Sequence, residues 1–425
     1  MKRARDWSRR RWLAAGAAVA GTALGCEASD PGRGRSRASL WFTYGGRNRE
    51  VLEKLVARFN TSQSEHYIEA VYQGDYYEGL AKLRTAIFAK AAPTFSHVVG
   101  EVIPYLARAG VLEPMDDYPG YDDFDLVPEL GQEKSWVGGD AQPLVALPFN
   151  RSTPIAYFNG DLLQREGISP PRTWDELRAV ARRLTRSTPP ARFGFGCPIS
   201  WWFWVALVGQ AGGQVVEADG RLSLGGAAGV EALRFWQTLV REDRTMRPPP
   251  GRDYNAWEQT NQDFLAGRTA MIWTSTAFLK YLEDNAPFRV LAAPLPAHRR
   301  HAVPTGGTHW VILKDAPPEQ KASAWAFLRF MHEDEQAIFW ATSTGYMPVT
   351  RRAIRWLERE GYYAKHPNDR VAVDQLSVAQ PWPWSTDLFR IDREIVQPRL
   401  EAAVLSGSDA QTLMDQARVE AARSE

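Results

Sequence analysis

Acidic and histidine side chains that could carry out acid–base or metal chemistry stand together in the run His332-Glu333-Asp334-Glu335. This run follows a helical pattern, and the solvated end of a helix commonly has the same composition. The sequence contains no HExxH zinc motif, no G-x-S-x-G nucleophile turn and no glycine-rich phosphate loop. The residues therefore favour a binding protein over an enzyme, and they predict neither a cofactor nor a metal.

Aromatic side chains are the second group with chemical potential, because flat rings can hold a ligand. The chain has 17 Trp, more than a core alone requires. Trp201 and Trp204 lie three residues apart, so on a helix they would share one face and could grip a carbon skeleton or a sugar ring. Packing into the core is the alternative for both. Trp382 and Trp384 alternate in a proline-rich loop and would point the same way, as a pair facing a quaternary ammonium group does.

Strand and helix patterns that must position these residues alternate along the chain from about residue 39. Repeated βαβ units of this kind predict an α/β fold with largely parallel sheets and helices on both faces. Ligands on such sheets bind beyond the carboxyl ends of the strands. The predicted elements are strands at 39–43, 67–72, 94–99, 191–198 and 270–274, and helices at 48–60, 77–90, 173–186, 231–241, 318–332 and 351–360.

The first 25 residues predict an export signal rather than part of the fold. Ser8-Arg9-Arg10-Arg11-Trp12-Leu13 is a twin-arginine pattern, and the apolar run 14–24 behind it is too short to span a bilayer. Cys26 stands at the lipidation position of a lipoprotein signal, but Ala23 replaces the usual larger aliphatic residue. Acylation of Cys26 and simple cleavage nearby are therefore both open. Residues 26–38, which are polar and rich in Gly, Arg and Ser, predict a flexible tether.

Charge and cysteine content restrict the partners. Residues 1–25 hold six basic residues and one acidic one, so the rest of the chain has a formal charge of −4 instead of the +1 of the whole. No basic stripe remains, which argues against a nucleic-acid partner. Cys197 is the one cysteine beyond Cys26, so an internal disulfide is not expected.

Five motifs, in order and at the right separations, make the chain similar to the family 1 extracellular solute-binding proteins of ABC importers. The similarity runs from about residue 39 to the C-terminus. The stretches that carry it are ARFN at 57–60, GVLEPM at 110–115, TWDEL at 173–177, FLAGRTAM at 264–271 and TGYMPV at 344–349.

The resemblance implies a type II periplasmic-binding-protein-like fold of two α/β lobes joined by a hinge. Lobe 1 would comprise residues 39–150 and 277–344, and lobe 2 residues 151–276 and 345–425. It further implies a monomer that is not an enzyme, located in the periplasm or anchored to the outer side of the cytoplasmic membrane. Its partners would be a small-molecule ligand and a membrane permease.

Within the family, the chain resembles the branch that binds sn-glycerol 3-phosphate. The stretches VYQGDY at 71–76, PFNRSTP at 148–154 and GYYAKHP at 361–367 carry this likeness. WWFW at 201–204 is more aromatic than the branch pattern, and Trp382 and Trp384 replace Leu and Phe, which suggests a larger ligand such as glycerophosphocholine. The ligand contacts of that branch correspond here to Tyr76, Glu101, Ser152, Trp201, Trp204, Ser275, Gly307, Tyr346 and Arg393.

These residue types suit a phosphate ester. Arg393 offers a planar, two-pronged guanidinium, and Ser152 and Ser275 offer hydroxyl donors. Gly307 lets the backbone approach the ligand closely, and Glu101 accepts hydrogen bonds from ligand hydroxyls. A sugar-binding protein of the same family is the first alternative, distinguished by carboxylates in place of the arginine and serines. An exported hydrolase is the second.

Overall fold

A computed structural model describes residues 30–131, 144–217, 222–380, 382 and 385–423. The predicted export signal, Cys26 and Trp384 lie outside these residues. Within them, no helix has both the length and the apolar character needed to cross a membrane. The strands are β1 (Ser36–Phe42), β2 (His66–Tyr72), β3 (Phe95–Val99), β4 (Leu147–Ser152), β5 (Pro154–Asn159), β6 (Phe193–Gly196), β7 (Met246–Arg247), β8 (Thr269–Ser275), β9 (Val290–Ala293), β10 (Val303–Pro304), β11 (Gly306–Ile312) and β12 (Ala379–Gln380).

Helices cover both faces of the sheets that these strands form. They are α1 (Gly46–Ser62), α2 (Tyr76–Phe88), α3 (Ile103–Arg108), α4 (Pro128–Gly131), α5 (Gly160–Glu166), α6 (Trp174–Leu184), α7 (Trp201–Gln210), α8 (Gly226–Gln237), α9 (Asp253–Leu265), α10 (Leu279–Asn285), α11 (Pro318–Met331), α12 (Asp334–Thr344), α13 (Arg351–Arg359), α14 (Tyr362–Lys365), α15 (Pro367–Asp374), α16 (Leu388–Arg390), α17 (Gln397–Glu401) and α18 (Ala410–Ala422).

The first lobe is built on a five-stranded sheet in the order β2-β1-β3-β11-β4. β1 is parallel to β2 and β3, whereas β11 runs antiparallel to β3 and β4. Helix α1 buries the apolar face that the sequence predicts, including Leu52, Leu55 and Phe59, against this sheet and α11. Burying such a face, at about 1.5–3 kcal/mol for each large side chain, holds the helix on the sheet.

The second lobe is built on a five-stranded sheet in the order β7-β6-β8-β5-β9. β6 is parallel to β7 and β8, and β5 runs antiparallel to β8 and β9. Helix α6 begins where the sequence predicts, because the Thr173 hydroxyl accepts a hydrogen bond from the Glu176 amide (3.1 Å). The core of this lobe includes apolar residues of α7, α8 and α18.

The chain passes from the first sheet to the second at Thr153, between β4 and β5. It returns only at β11, because α10 and β9 pack in the second lobe with Ile155 and Tyr157. The predicted boundary at 276/277 is therefore wrong, and the segment up to β9 belongs to lobe 2. The tether is also shorter than predicted, because β1 begins at Ser36, where it pairs with His66.

Candidate ligand-binding site

A cleft of about 360 Å³ lies between the two lobes. Much of its lining comes from the loops and turns at the carboxyl ends of β1, β3, β4, β6 and β8, where an α/β sheet is expected to bind ligands. The structure brings together eight of the nine predicted contact residues, all lining this one space: Tyr76, Glu101, Ser152, Trp201, Ser275, Gly307, Tyr346 and Arg393.

Two tyrosines contributed by distant parts of the chain meet in the cleft. Helix α2 begins at Tyr76 because Asp75 caps it, and the Tyr76 hydroxyl lies 3.2 Å from the Tyr346 hydroxyl. The buried Asn150 amide donates to both hydroxyls at 3.4 and 3.3 Å, and its oxygen is held by the Thr308 amide at 2.6 Å. Burial raises the pKa of Tyr76 and of Tyr346. Both phenols therefore stay neutral and can donate to a ligand.

Gly307 permits a tight approach beside Ser152, the last residue of β4. Gly307 has φ +91°, a backbone conformation that residues with a side chain rarely adopt. A Cβ there would lie 1.7 Å from the Asn150 carbonyl oxygen. Its neighbour Gly306 pairs with Ser152 in the sheet. The Ser152 hydroxyl and this glycine segment consequently form one side of the cleft floor.

Ser275, the last residue of β8, faces the first group from the second lobe. Its hydroxyl accepts a hydrogen bond from the Ala277 amide (3.2 Å), so it caps the short turn Thr276–Phe278. A capping hydroxyl still has its own proton to donate. Ser275 can therefore act as a cap and a ligand donor together.

Glu101 lies on the turn Gly100–Val102, directly after β3. Burial raises the pKa of its carboxyl, and the nearby positive charge of Arg151 acts in the opposite direction. At a pH between its pKa in the unfolded chain and its higher pKa in the folded protein, Glu101 is therefore protonated in the folded protein and ionised in the unfolded chain. Its contribution to folding stability decreases as the pH rises through the range between these two pKa values.

We expect affinity to depend on pH through Glu101. The ionised carboxylate accepts hydrogen bonds from ligand hydroxyls more strongly than the neutral acid does, so binding lowers its pKa, and affinity increases as the pH rises through the titration of Glu101. Calorimetry with glycerophosphocholine tests this, because its phosphodiester does not titrate in that range. Glu101→Gln should flatten the pH profile. An equal slope in both proteins would assign the pH dependence to another group.

Arg393 reaches the cleft from the C-terminal segment of lobe 2. It lies on the π-helical turn Ile391–Val396, between α16 and α17, and wide turns of this kind often occur at functional sites. Its guanidinium carbon is 4.0 Å from the ring centre of Tyr77, a residue of α2 in lobe 1. Arg393 thus contacts both lobes while lining the space between them.

Comparison with known proteins decides the family. A model of the bacterial extracellular solute-binding proteins matches residues 54–365, well over half of the chain. The chain belongs to this family. The solute-binding protein is 24% identical over 410 residues to the sn-glycerol-3-phosphate-binding periplasmic protein UgpB of Rhizobium meliloti (strain 1021), covering 89% of this chain and 91% of the relative.

Solved structures confirm the two-lobe α/β fold that the resemblance implied. UgpB from Mycobacterium tuberculosis, in complex with glycerophosphocholine, superposes with a TM-score of 0.78 at 23% identity, covering 89% of this chain and 96% of that one. The GacH receptor of Streptomyces glaucescens, solved unliganded and with acarbose, gives 0.81 at 18% identity and covers 91% and 97%. The solute-binding protein therefore has the fold of an ABC-importer binding protein, shared by relatives with different ligands.

Trp204 is the predicted contact that the structure places elsewhere. It is fully buried in the lobe 2 core, and its indole nitrogen donates to the Gly229 carbonyl oxygen (3.1 Å). The three-residue spacing wrongly predicted Trp204 as a ligand contact. Helix α7 is apolar on nearly all sides, and the face that carries Trp204 packs into the core. Trp382 is also buried, stacked on Trp201 at 6.3 Å, so it supports the cleft residue from behind and does not line the cleft.

Replacing Trp204 by Phe should lower the free energy of unfolding by about 1–3 kcal/mol, because it leaves a cavity and an unpaired Gly229 carbonyl. Urea denaturation measures this effect. Trp356→Phe, at a residue of α13 that is 40% exposed, is the matched control and should change stability by less than about 0.5 kcal/mol. Equal effects in the two variants would contradict the core assignment.

Sequence reasoning missed several residues that line the cleft. Tyr44, just after β1, has the unusual φ of +70°, and its buried hydroxyl has no hydrogen-bond partner in the part of the chain that the structure describes. Strained backbone of this kind tends to occur at functional sites. Tyr254, Trp257 and Asn261 also line the cleft from α9. The helical spacing of these three residues was the signal in the sequence that could have identified them as one face.

His332 has a structural role. The ring is buried, and its two nitrogens lie 2.7 Å from the Leu328 carbonyl oxygen and 3.0 Å from that of Pro148. Burial lowers its pKa. Among the described residues, no group of three His, Cys, Asp or Glu side chains is arranged to hold a metal ion. The cluster at 332–335 thus belongs to the end of α11 and the start of α12.

Proposed function

We propose that this solute-binding protein captures sn-glycerol 3-phosphate or a glycerophosphodiester such as glycerophosphocholine, and delivers it to an ABC permease. The observation that carries the proposal is the convergence of Arg393, Ser152 and Ser275 on one cleft, with residues from both lobes. A phosphate ester needs a fixed positive charge and donors from several directions, and this set supplies both.

The rest of the cleft suits the glycerol end. Glu101 accepts hydrogen bonds from ligand hydroxyls, and the hydroxyls of Tyr76 and Tyr346 donate to ligand oxygens. Because the carboxylate and Arg393 carry opposite charges, a glycerol phosphate binds in one orientation. Gly307, which has no side chain, leaves room beside Ser152.

Ligand binding would favour the closed arrangement of the lobes. Contacts already cross the cleft: Arg393 lies over Tyr77, and the Arg108 guanidinium donates to the Thr386 hydroxyl (3.0 Å). A ligand touching both lobes adds to these contacts only when the lobes are together, so it shifts the population to the closed form. The permease would recognise that form.

The site of action follows from the N-terminal sequence. We propose export by the twin-arginine route to the periplasmic side of the membrane, with Cys26 as a point of lipid attachment, and action as a monomer. Metabolic labelling of the full-length chain with a fatty-acid probe, compared with Cys26→Ser, tests the anchor.

A sugar or oligosaccharide ligand is the second candidate. Trp201, Trp202 and Trp257 offer ring faces, and Asp75, Glu101 and Glu258 line the same cleft as acceptors for sugar hydroxyls. Several structures of the same fold hold sugars, as with maltose bound to MalE3 of T. maritima. Arg393 and the two serines favour the phosphate ester over this alternative.

Titration calorimetry with glycerol 3-phosphate, glycerophosphocholine and trehalose separates the two candidates. We expect heat of binding with the phosphate esters and none with trehalose. Binding of trehalose alone would overturn the phosphate assignment and leave the transport role in place. Absence of turnover of glycerophosphodiesters in the same samples distinguishes a binding protein from a hydrolase.

A further inference from the structure

One face of helix α9 forms a wall of the cleft that the glycerol phosphate contacts leave unused. Tyr254, Trp257, Glu258 and Asn261 are spaced by three, one and three residues, so they share one side of the helix, and all four line the cleft. Together with Trp202 and Phe278 they are called the α9 wall here. It belongs to lobe 2.

The aromatic part of the α9 wall starts beside the proposed phosphate position. The Trp202 ring lies against Gly306, where an added Cβ would be 2.5 Å from it, and Gly306 pairs with Ser152. The Trp202 indole nitrogen donates to the Thr305 carbonyl oxygen (3.1 Å), which fixes the ring. Ring centres then follow at 5.3 Å from Trp202 to Trp257 and 6.3 Å from Trp257 to Phe278. A group esterified to the phosphate would meet this surface.

The charges that line the cleft favour a ligand with a positively charged group. Among the described residues that line the cleft, Asp75, Glu101, Glu258 and Asp392 are acidic and Arg47 and Arg393 are basic. Arg47 is further paired with Asp284. A lining with more acids than arginines suits a phosphodiester that also carries a positive charge better than it suits a doubly charged phosphate monoester.

We propose that the α9 wall binds the ammonium head group of a glycerophosphodiester, with the indole faces of Trp202 and Trp257 and the carboxylate of Glu258 around the cation. This inference rests on the proposed function, because the phosphate must be held near Arg393 for the head group to reach the wall. Aromatic faces attract ammonium groups through the ring quadrupole, most strongly when the site is desolvated. Ethanolamine and choline esters share this chemistry.

Calorimetry with four ligands tests the head group. Glycerophosphoethanolamine and glycerophosphocholine should bind about tenfold more tightly than glycerophosphoglycerol, whose head group is neutral, and than glycerol 3-phosphate. The ethanolamine and choline esters together show whether N–H donors on the head group add to the effect of its charge. Equal affinity for the ammonium and glycerol head groups would overturn the inference while the proposed function stands. No binding of any of the four would overturn the proposed function itself.

Variants of the wall give a second readout. Trp257→Leu and Glu258→Gln should each reduce the affinity ratio of glycerophosphocholine to glycerophosphoglycerol, by about five- to tenfold for the tryptophan and less for the more exposed glutamate. Trp356→Leu, on the surface of α13, is the matched control and should leave the ratio unchanged. Melting curves confirm that each variant is folded. An unchanged ratio in a folded Trp257→Leu protein would contradict the assignment.

Discussion

Arg393→Ala should weaken binding of sn-glycerol 3-phosphate by about 2–5 kcal/mol, because the ligand anion would be buried without its charged partner. Arg393 lines the cleft and contacts both lobes, and the substitution also removes its contact with the Tyr77 ring. Titration calorimetry on the wild type and the variant measures the loss directly.

Two further variants define that result. Arg393→Lys keeps the charge but not the planar fork, so it should recover part of the affinity. Arg359→Ala removes an arginine of α13 that is exposed and should have no effect. Unchanged affinity in a folded Arg393→Ala protein would remove the phosphate from this position and reopen the identity of the ligand.

Gly307→Ala should lower the free energy of unfolding by about 3–5 kcal/mol and abolish high-affinity binding. The added Cβ would meet the Asn150 carbonyl oxygen at 1.7 Å, and the backbone φ of +91° is unfavourable for alanine. Since Asn150 orients the hydroxyls of Tyr76 and Tyr346, displacement of this strand would also disturb the ligand donors. Urea denaturation and calorimetry measure the two effects.

Gly110→Ala measures the cost of a positive φ without a steric clash, so it separates the two causes of destabilisation in Gly307→Ala. Gly110 has φ +68°, and a Cβ there would meet nothing within 4 Å, so only the conformational penalty of about 1 kcal/mol remains. If Gly307→Ala were no more destabilising than Gly110→Ala, the close approach of the two strands would not be the reason for glycine at position 307.

Local patterns predicted the elements of the first lobe well. Helix α1 buries the predicted face at Val51, Leu55 and Phe59 because its apolar spacing follows one helical stripe. Trp204 shows where the same reasoning fails: on a helix surrounded by core, three-residue spacing does not distinguish a ligand face from a buried one. The lobe boundary failed for a related reason, since β9 joins the second sheet through pairing with β5, a contact distant in sequence.

The cleft residues were predictable mainly through family resemblance. Ser152, Ser275 and Arg393 are separated by more than a hundred residues, and only the folded chain brings them to one space. The α9 residues carried a local signal, because Tyr254, Trp257 and Asn261 repeat at helical spacing, but an aromatic stripe on a helix is usually core. Tyr44 had no such signal, since its positive φ depends on tertiary structure.

Arg393 and Arg108 touch the opposite lobe across the space that holds the ligand. These contacts favour the closed arrangement of the lobes, so we expect the residence time of a bound solute to depend on how fast they part. Weakening the Arg108–Thr386 contact alone should speed the escape of a bound ligand more than it slows ligand capture. If the proposed permease unloads the ligand, we expect it to do so by separating the two lobes.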